Sequence, residues 1–442
     1  MKILFILPEY YPHSGGGIST YYLHYIKALQ PHCDEIKVIV GSGYTQANDI
    51  FEHEGITVEY LKPEIHEYYL NKFTQYDLLP EFKRNIASAW GMWQQASEGM
   101  DYDIIECTDF ALGFIPWLIH HTKPVITRLH GSMGQISLHE NTLSADLADL
   151  FIQQTELLLL PCCDQLISHS NANQLFWNNV LKSKSVVHIS PVYNKLSQPL
   201  PLSNRDNNGL ITARIQKWKG PIELCQAYRL LTTHKPFIKW IGNDKLYNNQ
   251  QTTGSYLKSN FADVWDKYIV PQQPLSNTQI PAFQQKARFG IIPSTWDMFN
   301  FSCIEFMAAG TPVICSEGAG AVELIEHGIN GFKYPANDIV ALAECINAMC
   351  LLNDKAYMEM AKAAMERVKS TLSEDRIIPV NLQLYELALI NFKPNSSNTY
   401  FDILYKPSEL RHNISNILDK QPLKKLTPYY TKRVQQKLFG KK

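Results

Sequence analysis

Several features that would assign a protein quickly to a class are missing from this sequence. Its 41 lysines and arginines nearly balance its 42 acids, so it has no basic field that would attract nucleic acid. No apolar run approaches the roughly 18 residues that a helix needs to span a bilayer. The nine cysteines are scattered and include no CxxC pair, which argues against a zinc ribbon or a disulfide framework. We therefore expect a cytoplasmic protein with free thiols, at most peripheral to the inner face of a membrane.

What the sequence does contain is the composition of a large globular protein. Its 442 residues are too many for one ordinary core, and a content of 45% hydrophobic and 19% charged residues is typical of folded chains. The first apolar run ends after Leu7 and meets Pro8 and Glu9, so it is too short for a signal peptide and predicts a buried first strand. Two domains are expected.

Short apolar runs alternate with segments of helical period along most of the chain. The predicted strands include KILFILP, EIKVIVG, YDIIECTD, PVITRLHG, QLISHS and SVVHISP, and later GLITARI, FIKWIG, FGIIPS and TPVICSE. This alternation predicts parallel sheets with crossover helices. The fold class is therefore α/β, with two Rossmann-like, doubly wound domains facing a central cleft. Ligands are expected beyond the carboxyl ends of the strands.

A polar, turn-rich stretch from Tyr193 to Gly209 interrupts this alternation and predicts a linker. The predicted organisation is an N-terminal domain over residues 1–196, a linker over 197–208, a C-terminal domain over 209–375, a helical segment over 376–395 that packs back on the N-terminal domain, and a basic tail over 396–442.

The end of the tail holds eight basic residues and no acid, namely Lys420, Lys424, Lys425, Lys432, Arg433, Lys437, Lys441 and Lys442. A solvated terminus would explain this charge. A weak anchor to anionic lipid would also explain it, and nearby apolar residues such as Leu423 and Leu438 would contribute to such an anchor.

Two predicted strand ends carry residues that could bind an anion. Gly16 and Gly17, in YYPHSGGGIST, would let backbone and a helix N-terminus approach a ligand, although a tight turn explains them equally well and the GxGxxG pattern is absent. Arg214 and Lys219, in TARIQKWKG, could clamp a diphosphate, or could be two solvated loop charges. His130, in PVITRLHGSM, ends a third strand and could be functional or structural.

The stretch PSTWDMFNFSCIEFMAAGTPVICSEGAGAVELI contains two acids eight residues apart, Asp297 and Glu305. Ser302 and Glu305 have the spacing of a capping box, in which case Glu305 would only close a helix end. Asp297 could likewise only form an Asx turn. A capping box does not explain the second glycine-bearing loop that follows, so a ligand role for both acids is the preferred hypothesis.

Two further segments contain residue types that are common in binding sites. Asp101 and Asp103 precede a predicted strand, so they should lie at its amino end, away from the cleft, and no metal site is expected there. Residues 59 to 97 are rich in aromatic side chains, which could stack on sugars, but a role in a helix core is the preferred interpretation.

Together these segments resemble the retaining glycosyltransferases of family four, the large group 1 family of GT-B fold. The stretch from Pro293 to Ile325 is similar to that family's acid-x7-acid motif, TARIQKWKG to its Gly-Arg-x-x-x-x-Lys-Gly element, and RLHG to its Thr-x-His-Gly strand end. SGGGIST resembles its glycine loop, and GAGAVELIEHGINGF resembles its Gly-Gly-x-x-Glu and Gly-x-Asn-Gly pair. The resemblance covers about residues 1 to 385.

The resemblance implies a glycosyltransferase that takes a nucleotide-diphosphate sugar, bound mainly by the C-terminal domain. It implies that Arg214 and Lys219 hold the diphosphate and that Glu305 binds the ribose hydroxyls. Asp297 would contact the donor sugar, and His130 would lie near the sugar, the acceptor and the leaving diphosphate. All of these except Glu305 are expected to take part in catalysis.

The same resemblance implies that the amides of Phe299, Asn300 and Phe301 line the sugar and phosphate site, with Gly16 and Gly17 approaching the phosphates from the N-terminal domain. It also implies retention of anomeric configuration. Since no metal or other cofactor is expected, fixed cations and amides would stabilise the leaving diphosphate. The expected acceptor is a glycan or lipid-linked saccharide in surface polysaccharide biosynthesis.

The sequence departs from the family pattern in the loop that begins with the first acid, and it leaves other functions open. Asp297 stands where glutamate is usual, and Asn300 where glycine is usual. A nucleotide-sugar epimerase and a catalytically silent nucleotide-sugar-binding protein could use the same residues. A sugar phosphorylase would need a longer chain and a pyridoxal lysine.

Overall fold

The computed structural model describes residues 1–13, 16–140, 147–232, 235–248, 250–394, 399–407 and 422–439. The chain forms two α/β domains, each built on one largely parallel sheet flanked by helices. All ten strands that the apolar runs predict are present. Short 3-10 helices connect the larger elements at Gln30–His32, Thr74–Tyr76, Ser97–Gly99, Phe110–Leu112, Leu160–Cys162, Leu202–Asn204, Lys217–Lys219 and Gly320–Leu324.

The N-terminal sheet has eight strands in the order β3-β4-β2-β1-β5-β6-β7-β8. The strands are β1 (Lys2–Leu7), β2 (Glu35–Val40), β3 (Ile50–His53), β4 (Ile56–Tyr60), β5 (Ile104–Thr108), β6 (Val125–Leu129), β7 (Gln165–Ser168) and β8 (Val186–His188). Only β3 pairs antiparallel, at the edge. β1, β5 and β6 lie in the middle with helices on both faces, which is why every residue of β5 and β6, and every residue of β1 after Lys2, is buried.

Seven helices cover this sheet: α1 (Gly17–Leu29), α2 (Pro63–Lys72), α3 (Pro80–Gln95), α4 (Ile115–Ile119), α5 (Met133–His139), α6 (Leu147–Leu159) and α7 (Asn171–Leu181). The aromatic side chains between residues 59 and 97 belong mainly to this layer. Phe73, Phe82 and Trp90 are fully or almost fully buried, whereas Tyr68 is exposed. The interpretation of this segment as core is therefore confirmed for most of its aromatic residues.

The C-terminal sheet has six parallel strands in the order β13-β10-β9-β14-β15-β16. Its elements, with a separate β11–β12 hairpin, are β9 (Asn208–Thr212), α8 (Pro221–Leu230), β10 (Phe237–Ile241), β11 (Leu246–Asn248), β12 (Gln251–Thr252), α9 (Thr253–Asn260), β13 (Ile269–Gln272), α10 (Ile280–Lys286), β14 (Phe289–Ile292), α11 (Phe301–Ala308), β15 (Val313–Ser316), β16 (Phe332–Tyr334), α12 (Ile339–Leu351) and α13 (Asp354–Leu372).

The next helix, α14 (Glu374–Asn391), returns to the N-terminal domain. Its buried residues Ile378 and Tyr385 join the same apolar cluster as Phe5 of β1. The hydroxyls of Tyr385 and Tyr25 lie 2.6 Å apart, so α14 is bonded to α1 as well as packed against it. The N-terminal domain is thus built from two separated parts of the chain.

The stretch predicted as a linker is anchored to the C-terminal domain. Arg205 is buried, and its guanidinium donates to the carbonyls of Gln285, Ala287 and Gly310 at 2.7–2.9 Å. A Cβ on Gly310 would lie 2.8 Å from Cα of Pro199, so the chain there runs directly against the domain. A polar composition predicted a free connection, but a buried arginine with carbonyl partners fixes it instead.

The tail also differs from the prediction of a solvated terminus. α15 (Thr399–Tyr405) packs on the N-terminal domain, where Tyr405 is 1% exposed and Trp90 Nε1 donates to its carbonyl at 2.7 Å. α16 (Leu423–Phe439) follows and keeps Leu423, Tyr430 and Leu438 exposed. The predicted basic positions 420, 441 and 442 lie outside the described residues.

All nine cysteines are free thiols. Among the described helices, none combines the length and the apolar composition needed to cross a bilayer.

Candidate functional site

The two domains touch across the cleft between the carboxyl ends of their strands. His139, at the end of α5, stacks on Trp296 with ring centroids 4.2 Å apart and planes 4° from parallel. Ser170 Oγ, at the start of α7, donates to the carbonyl of Met298 at 2.7 Å. These contacts hold the loop before α11 against the N-terminal domain, and the candidate site lies where they meet.

The start of α11 is capped by Asn300, which corrects the capping-box alternative. Asn300 has φ +86°, and its side-chain oxygen accepts from the amide of Cys303 at 3.2 Å. Ser302 Oγ donates instead to the carbonyl of Thr212, at 2.7 Å. The capping box predicted for Ser302 and Glu305 is therefore wrong, because asparagine two residues earlier is at least as good a cap and tolerates a left-handed backbone.

Glu305 is thus free of the helix end and lies half-buried on the cleft side of α11. Its carboxylate accepts from Gln284 Nε2 at 2.8 Å, and Gln284 also donates to Thr212 Oγ1 at 3.1 Å. Burial raises the pKa of the Glu305 carboxyl, against the opposing effects of Gln284 and of the Lys195 charge. The carboxylate is held in one orientation by a buried amide.

Asp297 and Lys219 form an ion pair with 2.5 Å between Oδ2 and Nζ, and both side chains are 12% exposed. Asn300 Nδ2 donates to the same oxygen at 2.7 Å. The described partners of the carboxylate are thus side chains, not the backbone amides of an Asx turn. Burial lowers the pKa of Lys219, although Asp297 raises it, and Arg214 lowers it further.

Arg214 lies beside this pair but is exposed to solvent. Its guanidinium carbon is 6.0 Å from the ring centroid of Trp218, and Lys219 Nζ is 4.0 Å from the same ring. The salt bridges found among the described residues do not include Arg214. Gly220 follows Lys219 and has φ +76°. A Cβ at this position would lie 1.7 Å from the carbonyl oxygen of Pro293. The basic loop therefore lies directly on the end of β14.

The loop from Asp297 to Phe301 is held by the second glycine loop. The amide of Asp297 donates to Gly318, and Phe299 accepts from the amide of Ala321 at 2.6 Å. Within the described ranges, the amides of Asn300 and Phe301 have no acceptor. They lie at the positive end of α11, and the side chain of Asn300 joins this end to Asp297 and Lys219.

The glycine loop after β1 is arranged differently from the prediction. A Cβ on Gly16 would lie 2.2 Å from Oε1 of Glu9, and that oxygen accepts from the amide of Ser19 at 3.2 Å. The carboxylate of Glu9 thus occupies the start of α1, where a phosphate was expected to approach Gly16. Gly17 faces Phe301 of the other domain at 4.0 Å. Gly15 lies outside the described residues.

His130 follows β6 and faces α1. Its amide donates to Asp109 at 2.8 Å, and its ring packs edge-on against Tyr21 with centroids 5.0 Å apart. Burial, helped by the charge of Arg128, lowers the pKa of His130 to about 3, so the imidazole is neutral near pH 7. Its Nε2 lies 3.4 Å from Nε2 of His169, a residue that sequence reasoning did not single out.

A buried ion pair supports this wall of the cleft. Arg128 Nε lies 2.6 Å from Glu106, and both side chains are fully buried. Arg128 also donates to Asn381 of α14 at 2.6 Å, and its guanidinium lies 4.3 Å from the ring centroid of Tyr25. The strand that carries His130 is therefore bonded to α14. Asp103 is one of the two acids at which no metal site was expected. It lies at the amino end of β5, and its carboxylate accepts a hydrogen bond from the amide of Lys2.

The model of the family described as glycosyl transferases group 1 matches residues 193–367. The resemblance to this family that the motifs predicted is confirmed over these residues, which make up most of the C-terminal domain. An uncharacterized glycosyltransferase of Methanocaldococcus jannaschii is 22% identical over 88% of this chain and 99% of its own length. The D-inositol 3-phosphate glycosyltransferase of Pseudarthrobacter chlorophenolicus is 27% identical over 41% of this chain and 42% of its own.

Solved structures show that the fold extends beyond the matched domain. Sucrose-phosphate synthase from Thermosynechococcus elongatus superposes with a TM-score of 0.67 at 18% identity, over 89% of this chain and all of that one. HepE of Anabaena, solved in complex with UDP-glucose, gives 0.61 at 20% identity over 88% of this chain and all of its own. The predicted GT-B fold is confirmed.

Proposed function

We propose that this glycosyltransferase moves a hexosyl group from a nucleotide-diphosphate sugar to a glycan or lipid-linked acceptor, with retention of anomeric configuration and without a metal ion. The observation that carries the proposal is the meeting of Lys219, Arg214 and the start of α11 at one point of the cleft. The two side chains supply positive charge, and the start of α11 supplies amide donors that are unpaired within the described residues. The carboxylate of Asp297, which could accept from sugar hydroxyls, lies 2.5 Å from Lys219 Nζ.

The leaving group is the first part of the reaction that this geometry would stabilise. Breaking a glycosyl–phosphate bond builds negative charge on the diphosphate. Arg214 and Lys219 would neutralise that charge, and the amides of Asn300 and Phe301 would donate to phosphate oxygens. Such preorganised donors are each worth roughly 3–4 kcal/mol in a transition state. Arg214 is exposed in the described structure, so its guanidinium is accessible to a phosphate.

The nucleoside would be held by Glu305. Its carboxylate is oriented by Gln284, and a carboxylate that faces a cleft can accept from both hydroxyls of a ribose. The role of Glu305 is therefore positional, since it fixes the diphosphate relative to Lys219 rather than acting on the bond that breaks.

The donor sugar would lie between Asp297 and His130. Asp297 accepts hydrogen bonds, and it would exchange part of its contact with Lys219 for a sugar hydroxyl when the diphosphate draws the lysine away. His130 is neutral, which suits a hydrogen bond to a hydroxyl rather than an ion pair with phosphate. The shorter side chain of Asp297, compared with the glutamate usual in the family, would place the sugar nearer the start of α11.

Retention would follow from departure and attack on the same face of the sugar, with the leaving phosphate accepting the acceptor's proton. This hypothesis comes from the family resemblance. Proton NMR of the product made from an α-linked donor tests it directly, because an α-linked product supports retention and a β-linked product contradicts the mechanism.

The acceptor side of the proposal is a lipid-linked or growing surface glycan at the cytoplasmic face of a membrane. It is supported by α16, which carries five basic residues and no acid together with exposed apolar side chains. The retaining mechanism, the polysaccharide setting and this membrane contact are all proposals.

Titration calorimetry with UDP, GDP and ADP in EDTA tests the donor site. UDP is the first candidate, since HepE was solved with it. One nucleotide should bind the wild type, and Arg214→Ala and Glu305→Ala should each lose at least tenfold in affinity. Arg229→Ala is the matched control, because that arginine pairs with Asp263 on the surface. If no nucleotide binds the folded wild type, the proposed function is wrong.

A further inference from the structure

The rings of His130 and His169 meet nitrogen to nitrogen on the N-terminal wall of the cleft. Their Nε2 atoms are 3.4 Å apart, and the ring centroids are separated by 4.6 Å. A neutral imidazole has one N–H donor and one acceptor nitrogen. Two facing ring nitrogens can form a hydrogen bond only if one of them carries a proton, so the contact assigns opposite roles to the two rings.

The other nitrogen of His169 decides which ring donates. His169 Nδ1 lies 3.3 Å from the carbonyl oxygen of Ile189, and a carbonyl can only accept. The proton of His169 is therefore on Nδ1. The ring is completely buried, and burial with the nearby charges lowers the pKa of His169 well below its ordinary value, so a second proton on Nε2 is disfavoured. His169 Nε2 is left as an acceptor.

The proton between the two rings then belongs to Nε2 of His130. Because His130 is also neutral, its Nδ1 carries a lone pair. No group in the part of the chain that the structure describes hydrogen-bonds to this nitrogen. Since Nδ1 of His130 is not one of the buried polar atoms that lack a partner, this nitrogen is not buried. It is accessible on the partly exposed edge of His130, where a ligand in the cleft would meet it.

We propose that His169 is a positioning residue that fixes His130 as the Nε2-protonated tautomer and thereby presents the Nδ1 lone pair to the cleft as a hydrogen-bond acceptor. The inference rests on the proposed function and narrows it. An acceptor nitrogen attracts a sugar hydroxyl and repels a phosphate oxygen. His130 therefore accepts a hydrogen bond from a hydroxyl of the donor or acceptor sugar rather than contacting the leaving diphosphate.

A purely structural role for His169 makes a different prediction. The ring packs against Tyr21 with centroids 4.3 Å apart, and phenylalanine would fill the same space. If packing were its only function, His169→Phe would leave His130 unchanged. If it fixes the tautomer, phenylalanine removes the acceptor for the Nε2 proton, whereas His169→Gln keeps a side-chain oxygen that can accept it.

Nitrogen NMR of protein labelled with 15N-histidine reads the tautomer without any assay of activity, since protonated and unprotonated ring nitrogens have well-separated shifts. The His130→Gln spectrum assigns the signals. We expect wild-type His130 with protonated Nε2 and bare Nδ1. We expect His169→Phe to show a mixture of both tautomers, and His169→Gln to keep the wild-type pattern.

Kinetics of sugar transfer provide the second readout. His169→Phe should lower kcat roughly tenfold, which is the low end of the effect of losing the hydrogen-bond partner that orients a metal-bound histidine, with nucleotide affinity unchanged. His169→Gln should restore most of the loss. His66→Phe is the matched control, because it replaces another buried histidine, one that contacts the Arg84 carbonyl away from the cleft.

Two results would overturn the inference: a wild-type His130 that is protonated on Nδ1, or a His169→Phe protein whose His130 spectrum and kcat match the wild type. The wild-type spectrum alone decides the tautomer even if a variant fails to fold. Failure of the proposed function would look different, because the tautomer signals would be as expected while no nucleotide bound and no sugar was transferred.

Discussion

Lys219 and Asp297 are separated by 78 positions in the chain, yet their charged atoms lie 2.5 Å apart with only an eighth of each side chain exposed. Lys219 follows β9, and Asp297 follows β14. A cation with a lowered pKa and an anion that also accepts from Asn300 thus face the cleft as one unit.

Removing one member of this pair should cost both stability and binding. Lys219→Met would leave the Asp297 carboxylate largely buried without its cation, and we expect a loss of roughly 3 kcal/mol in the free energy of unfolding. UDP affinity should fall at least tenfold. Chemical denaturation and calorimetry measure these two effects.

Lys239→Met is the control for that change. Its partner Asp206 lies 3.1 Å away, and both side chains are at least 40% exposed. Exposed pairs contribute about 0–1 kcal/mol, so both stability and binding should stay close to wild type. If Lys219→Met behaved like this control, the pair would be neither buried nor functional.

Nucleotide affinity should depend on pH through Glu305. Burial raises the pKa of this carboxyl, and only the ionised form accepts from both ribose hydroxyls. Affinity should therefore rise with pH through the raised pKa, at a higher pH than for an ordinary glutamate. Calorimetry across this range measures the slope. Glu305→Gln should bind weakly at every pH and lose the dependence, and a dependence that survived the substitution would belong to another group.

Domain contact should weaken as pH rises, because His188 pairs with Glu323 of the other domain at 3.3 Å. Burial acts to lower the pKa of His188, but Glu323 outweighs it, and the net pKa is raised. The stabilisation is fully present below the ordinary histidine pKa of about 6.5 and is lost as pH rises through the raised value. The thermal midpoint of wild type should fall across this window. It should not fall in Glu323→Gln, whereas the loop control Glu317→Gln should follow wild type.

Gly16 should tolerate a methyl group only if Glu9 is removed as well. In Gly16→Ala the new Cβ would displace the Glu9 carboxylate from the start of α1, and losing a helix cap costs about 1 kcal/mol. Gly17→Ala is the neighbouring control, since its nearest contact is 4.0 Å away. The double variant Glu9→Ala with Gly16→Ala should be no less stable than Glu9→Ala alone, and further loss would place the clash elsewhere.

Binding to anionic vesicles should depend on the apolar face of α16. Positions 423, 426, 430, 434 and 438 repeat at helical spacing, so they share one face. Tyr430→Asp, on that face, should weaken sedimentation with phosphatidylserine vesicles more than Gln435→Asp, which makes the same charge change on the polar side. If both variants weakened vesicle binding equally, charge attraction alone would explain the binding. If the wild-type protein did not bind the vesicles, the proposed membrane contact would be wrong.

Much of the fold could be predicted because its signals are local. A central strand such as β1 is apolar and buried at every residue after Lys2, and a buried strand is the simplest interpretation of KILFIL. The cations and acids of the cleft could be predicted for a similar reason, since Arg214, Lys219 and Asp297 each follow a predicted strand, and strand ends meet in this architecture.

The residues that were missed act through contacts that no local pattern contains. Glu9 reaches the start of α1 across the glycine loop, Gln284 reaches Glu305 from α10, and His169 meets His130 from a neighbouring strand end. The misleading signal at α11 was local as well. Ser302 and Glu305 have capping-box spacing, but Asn300 lies at the positive φ that begins the helix, and only the backbone conformation could decide between the two caps.

The return of α14 and α15 to the N-terminal domain has a consequence for synthesis of the chain. The ribosome releases the first eight strands early, but Tyr385 and Tyr405, which complete their core, emerge only near the end. The C-terminal domain, whose strands and helices are consecutive from Asn208 to Leu372, can fold while the first domain is still incomplete. The domain made first is therefore finished last, and a chain that stops after α13 would expose the unfinished core of the domain that was begun first.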